Sequence, residues 1–134
     1  MRSNIVIGLK PGLAAEVLIG LAREVAAPDA TLHLVSYVTV GRSDDEPARL
    51  ASVTRDIEEL AAQLRADSFT VETVVEIVAI GLGSELTEYA TEVGADMIVI
   101  GLAKRTRVGK ALVGGDAQVV LLNAACPVLA TRIS

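Results

Sequence analysis

The chain has 134 residues, which is room for a single domain over 1–134 and not for two, since domains most often run to roughly 100 to 150 residues. A formal charge of −5 and a pI of about 4.8 argue against a general binder of nucleic acid or of anionic membrane, both of which need a basic surface. Hydrophobic residues make up 51% of the chain, yet no run approaches the roughly 20 apolar residues that a membrane span requires, and the lone cysteine and lone histidine, Cys126 and His33, offer neither an internal disulfide nor a metal-binding cluster.

Strand-length apolar runs alternate with helix-length amphipathic segments, the pattern of a parallel sheet covered by helices on both faces. Met1 to Asn4 passes at once into the first strand, Asn4 to Leu9; without a longer apolar core or a cleavage site there is no secretory signal, and the default compartment is the cytoplasm. Pro11 and Gly12 end that strand, and Leu13 to Ala27 forms a helix closed by Pro28-Asp29. Thr31 to Val38 is the second strand, Gly41 to Asp45 a polar loop, and Pro47 suits the first turn of a long helix ending near Ala66.

Phe69 to Ile77 alternates polar and apolar residues, as a half-exposed edge strand does. Ser84 is placed to cap a helix from Glu85 to Val93, Gly94-Ala95-Asp96 turns into a fourth strand, Met97 to Gly101, and a basic loop covers Leu102 to Gly114. Asp116 opens a last helix to Ala124, and Pro127 to Thr131 is the fifth strand. Five strands and four helices joined by right-handed crossovers give a doubly wound α/β sheet. Ligands bind such a sheet beyond the carboxyl ends of its strands, where the strand order reverses; this selects Leu9 to Gly12 and Gly101 to Asp116.

Three segments resemble the universal stress protein family. Ile5-Val6-Ile7-Gly8-Leu9-Lys10-Pro11-Gly12 is similar to the family's first strand and turn, Gly94-Ala95-Asp96-Met97-Ile98-Val99-Ile100-Gly101 to its fourth strand, and Ala125-Cys126-Pro127-Val128-Leu129 to its closing strand. The resemblance implies a Rossmann-like fold of the adenine nucleotide α-hydrolase type with strand order 3-2-1-4-5, and a homodimer paired through the last strand, Val128 to Thr131. An apolar edge strand left open is an aggregation hazard, so the dimer has a physical motive too. The resemblance also implies a stress-response or regulatory role without catalysis, and a ligand site at the switch point.

In the ATP-binding branch of that family, the loop after strand four carries glycine, two residues, glycine, nine residues, then glycine followed by serine or threonine. Here Gly101 stands first, Lys104 replaces the second glycine, Gly114 is the third, and Gly115 replaces the hydroxyl residue; Lys10 stands where the family has aspartate after strand one. Lysine in place of a loop glycine costs about 1 kcal/mol where the backbone needs positive φ, and each lost hydrogen bond about 1 kcal/mol or somewhat more. Together about 3 to 4 kcal/mol weakens binding by two to three orders of magnitude.

Opposing this, all three lysines, Lys10, Lys104 and Lys110, fall on the ligand face with Arg105 and Arg107, where charge can hold a phosphate or another anionic small molecule. The candidate ligand residues are thus Lys10, Pro11, Val38, Gly101, Lys104, Arg105, Gly114, Gly115 and Asp116. ATP binding is expected to be weak or lost, so no cofactor is assigned; the alternative is an ATP or other adenine nucleotide held by Lys10, Lys104 and the loop from Gly101 to Gly115.

Plainer readings stand beside these. Gly101 and Gly114 serve equally to end a strand and open a helix, Val38 is equally an ordinary strand end, and the basic loop on its own is a solvated one. Asp116 is most simply an N-cap or first-turn acid, His33 a satisfied core imidazole, and Cys126 a buried small hydrophobe. A nucleotide-dependent ligase or hydrolase is disfavoured, because the chain has no Walker motif and no Ser/His/Asp or Cys/His set.

Overall fold

The computed structural model describes residues 1–10, 15–40, 46–102 and 115–133. Nine elements alternate along these segments: β1 (Arg2–Gly8), α1 (Ala15–Val25), β2 (Ala26–Thr39), α2 (Glu46–Ala66), β3 (Thr70–Val78), α3 (Leu82–Val93), β4 (Met97–Leu102), α4 (Gly115–Asn123) and β5 (Val128–Arg132). The strands form one parallel sheet in the order β3-β2-β1-β4-β5, the doubly wound arrangement and the strand order expected. The turn at Pro11-Gly12, the loop from Gly41 to Asp45 and most of the basic loop from Leu102 to Gly114 lie outside the described residues.

Alternation along the central strands divides the core in two. Ile5, Ile7, Leu32, Leu34 and Val99 point to one face, where they meet Leu18, Ile19 and Ala22 of α1 and Val53, Ile57 and Ala61 of α2. Val6, Val35, Ile98 and Ile100 point to the other, against Leu86 and Ala90 of α3 and Val120 of α4. The spacing of those helical residues puts them on one stripe per helix, which is what lets each helix bury an apolar face while its charges stay in water. At the bottom of the sheet Asp96 ties β1 to β4: its carboxylate accepts from the Ser3 backbone at 3.0 Å and the Ser3 hydroxyl at 3.2 Å, and its own N–H donates to the Asn4 carbonyl at 2.8 Å.

The largest boundary differences from the sequence reading are at the start of β2 and the start of α3. The first helix ends at Val25 and the second strand begins at Ala26, ahead of Pro28, because Arg2 pairs with Ala26 across an irregularity in the β1–β2 ladder. At such a bulge proline has no ladder hydrogen bond to lose. The third helix begins at Leu82 and not at Glu85. Gly81 precedes it in the left-handed conformation (φ 79°) without any side-chain cap, so Ser84 lies inside the helix, where its carbonyl accepts from the Thr87 hydroxyl at 2.9 Å.

Candidate functional site

The carboxyl ends of β1 and β4 part on either side of the point where the strand order reverses, and a cleft opens there. It has about 650 Å³, counting the space open to solvent. Its floor is the end of β1 (Gly8, Leu9, Lys10) and of β4 (Ile100, Gly101). One wall is built from Leu18 of α1 and Ile133, the residue after β5; the other comes from Val35 and Tyr37 of β2 and from the first turns of α3 and α4. The lining is mostly hydrocarbon, with Lys10, Tyr37 and Asp116 supplying the ionisable groups among the described residues.

Two of these three groups are already engaged. The Tyr37 hydroxyl donates to the Glu85 carbonyl at 3.3 Å, and burial, reinforced by Glu76, Glu85, Tyr89 and Glu92, pushes its pKa up to about 12. Tyr37 is therefore a neutral phenol near neutral pH. The Asp116 carboxylate, in the first turn of α4, accepts the Gly83 N–H of α3 at 3.3 Å. It thus satisfies one of the donors that α3, entered from a glycine, leaves uncapped. Lys10 is exposed and forms no ion pair among the described residues.

Of the residues selected from sequence, Lys10, Gly101 and Asp116 come together in this cleft. Gly115 opens α4 in an exposed position and is not part of the lining. Val38 is buried in the core on the α1–α2 side, outside the lining. Pro11, Lys104, Arg105 and Gly114 lie outside the described residues, as do Arg107 and Lys110. Tyr37, Gly83, Leu86 and Ile133 were not anticipated. In sequence Tyr37 and Leu86 look like ordinary core residues and Ile133 lies past the fifth strand; only the fold brings them to one opening.

His33 lies apart from the cleft lining, on β2. Its Nε2 is 2.6 Å from Asn4 Oδ1 and its Nδ1 2.9 Å from the Tyr89 hydroxyl, and the Asn4 amide donates through Nδ2 to the carbonyls of Val93 and Gly94 at 2.8 and 3.1 Å. Those two bonds orient the amide, so Oδ1 faces the ring and accepts. Nε2 therefore carries the proton, and Nδ1 accepts from Tyr89. Cys126 is half-buried; burial and then Asp96 push its thiol up against the lowering effect of Arg2, which keeps it protonated and weakly nucleophilic. Among the described residues no group of His, Cys, Asp or Glu side chains could hold a metal ion, and no helix is long and apolar enough to cross a membrane.

The sequence model of the universal stress protein family matches residues 1–132. The chain belongs to this family. No curated protein matches it, but solved structures do. A universal stress protein from Archaeoglobus fulgidus shares 24% identity with TM-score 0.73, over 100% of both chains. The Archaeoglobus fulgidus universal stress protein in complex with dAMP shares 24% identity with TM-score 0.67, over 98% of each chain. A universal stress protein in complex with cAMP shares 22% identity with TM-score 0.71, over 99% of this chain and 98% of that one. At these identities the likeness is one of fold.

Proposed function

We infer that this universal stress protein is a non-enzymatic regulator of the stress response, a single cytoplasmic domain that works as a homodimer and uses the switch-point cleft for an anionic small molecule, with adenine nucleotides held weakly. The observation that carries this reading is the make-up of the cleft. Its apolar walls suit a flat ring, and relatives are found in complex with dAMP and with cAMP, but of its described polar groups Tyr37 gives its hydroxyl proton to the Glu85 carbonyl and Asp116 turns Oδ1 to the Gly83 N–H. Lys10 offers a cation where a ribose or adenine would need an acceptor. Attraction to phosphate does not replace that recognition, since a site built to hydrogen-bond its ligand loses affinity for each partner missing.

The test is calorimetric titration of nucleotide-stripped protein with ATP and with cAMP, alongside Lys10→Asp and Lys104→Gly. Unmodified protein is expected to bind with a Kd of about 100 μM or weaker and the double variant at least about tenfold tighter, the equivalent of one or two restored hydrogen bonds. Micromolar binding of ATP by the unmodified chain would instead establish the nucleotide-binding alternative, with Lys10 and Lys104 gripping phosphate.

A further inference from the structure

Glycine at the end of a switch-point strand ordinarily leaves backbone bare for a ligand to approach. Here both such glycines are covered. A Cβ added at Gly8 would lie 2.9 Å from Leu86 Cδ2, and one added at Gly101 would lie 2.6 Å from Ile133 Cδ1, with Cγ1 and Cγ2 at 3.1 and 3.2 Å. The space above Gly101 is thus filled by a side chain of the protein itself. Ile133 is only 8% exposed, although it follows the outermost strand of the sheet.

The two covers are not equally fixed. Leu86 belongs to α3, which packs along α4 and the sheet, so moving it means moving a helix. Ile133 is held by the last rung of the β4–β5 ladder, its N–H donating to the Leu102 carbonyl at 3.1 Å; it lies past Val128 to Thr131, the segment assigned to the dimer, and strand ends fray at low cost. Ile133 also lines the cleft, as do Gly101 and Leu86.

Resting on the reading of the cleft as a ligand site, we propose that Ile133 is its specificity-determining residue. The side chain closes the Gly101 wall, and any ligand that lies against the backbone at Ile100 and Gly101 must displace it. Ligand and Ile133 compete for one volume, so the cleft as it stands favours ligands that stay on the Lys10 side, and deep occupancy loosens the end of β5. On this view Gly101 is a glycine first because Ile133 packs on it.

The experiment uses the whole chain, with AMP followed by calorimetry and benzene followed through the Gly101 amide by NMR, since an apolar cavity admits benzene. Ile133→Ala is compared with Ile133→Val and with Leu122→Ala, a control at a site 80% exposed. AMP is expected to bind Ile133→Ala about tenfold tighter than the unmodified protein, Ile133→Val in between, and Leu122→Ala unchanged, because the Ile133 side-chain contacts no longer oppose entry. Equal measurable affinity of the unmodified protein and Ile133→Ala for AMP overturns the proposal. If no variant binds AMP but benzene shifts Gly101 in Ile133→Ala alone, the cover stands and the nucleotide reading falls. If benzene also leaves Gly101 unmoved there, the cover falls. Should Ile133→Ala fail to fold, Ile133→Val decides by the same comparison.

Discussion

The imidazole of His33 is 5% exposed, and both nitrogens have partners: the Nε2–H bond to Asn4 suits either charge state, whereas the bond from the Tyr89 hydroxyl needs an unprotonated Nδ1. Adding a proton would set an Nδ1–H against the Tyr89 hydroxyl, which now donates to that atom. Burial accordingly lowers the His33 pKa from 6.5, and Glu72, its register partner on β3, opposes the shift without reversing it. The consequence for stability has a definite sign. Above pH 6.5 the ring is neutral folded or unfolded and contributes nothing to pH dependence; below 6.5 the unfolded chain takes up a proton that the folded one resists. Stability therefore falls as the pH drops below 6.5, down to the lowered folded pKa. Urea titrations across this range should show the midpoint decreasing in the unmodified protein and a flatter profile in His33→Gln.

The sequence reading of His33 as a satisfied core residue agrees with this geometry, but the satisfying groups lie 29 and 56 positions away. No spacing rule identifies partners that meet only across the sheet and α3.

At the level of the elements, the contact between α3 and α4 shapes the cleft. Gly83 sits in the first turn of α3, where a Cβ would be 2.5 Å from the Asp116 carbonyl oxygen and 2.9 Å from Val119 Cβ. Backbone cannot yield as a flexible side chain does. Gly83→Ala is expected to lower stability by about 1–3 kcal/mol through overpacking, read as a lower urea midpoint with unchanged helix content at low denaturant. An unchanged midpoint would mean that the two helices separate freely at this end.

Helix stops illustrate how far local chemistry is readable. α3 ends in Gly94 at φ 68°, with its N–H on the Thr91 carbonyl and that of Ala95 on Ala90, as its glycine announces. α2 ends in the same hand of backbone with Ser68 at φ 75°, a residue that gives no such notice. The start of α3 is hidden from local chemistry for the converse reason. Gly81 and Gly83 read locally as a turn, and only the approach of α4 explains why glycine is needed within the helix.

For the molecule as a whole, the sheet leaves two edges, β3 and β5. β3 carries Glu72 and Glu76, charges that discourage pairing with another chain, whereas β5 is Val128-Leu129-Ala130-Thr131-Arg132, without an acidic residue. This contrast favours β5 as the edge that a second copy pairs with. On the proposed dimer the unmodified protein should sediment as a dimer and Val128→Asp, checked by circular dichroism for retained fold, as a monomer; a dimer that survives the change would exclude pairing through β5.

The fold was legible from sequence alone because it depends on short-range quantities: the two-residue alternation of half-buried strands, the stripe spacing of helices and the punctuation by glycine and proline all act within a few residues. Family membership was legible for the same reason, in Gly94 to Gly101 and Ala125 to Leu129. That Lys10, Gly101 and Asp116 share one opening followed from the carboxyl-end rule for parallel sheets. What tertiary structure alone decided is what occupies that opening. Asp116 turns its carboxylate to Gly83, Tyr37 gives its hydroxyl to Glu85, and Ile133 covers Gly101. Each contact joins residues more than thirty positions apart, and such contacts are set by the packing of helices on the sheet, which no local pattern encodes.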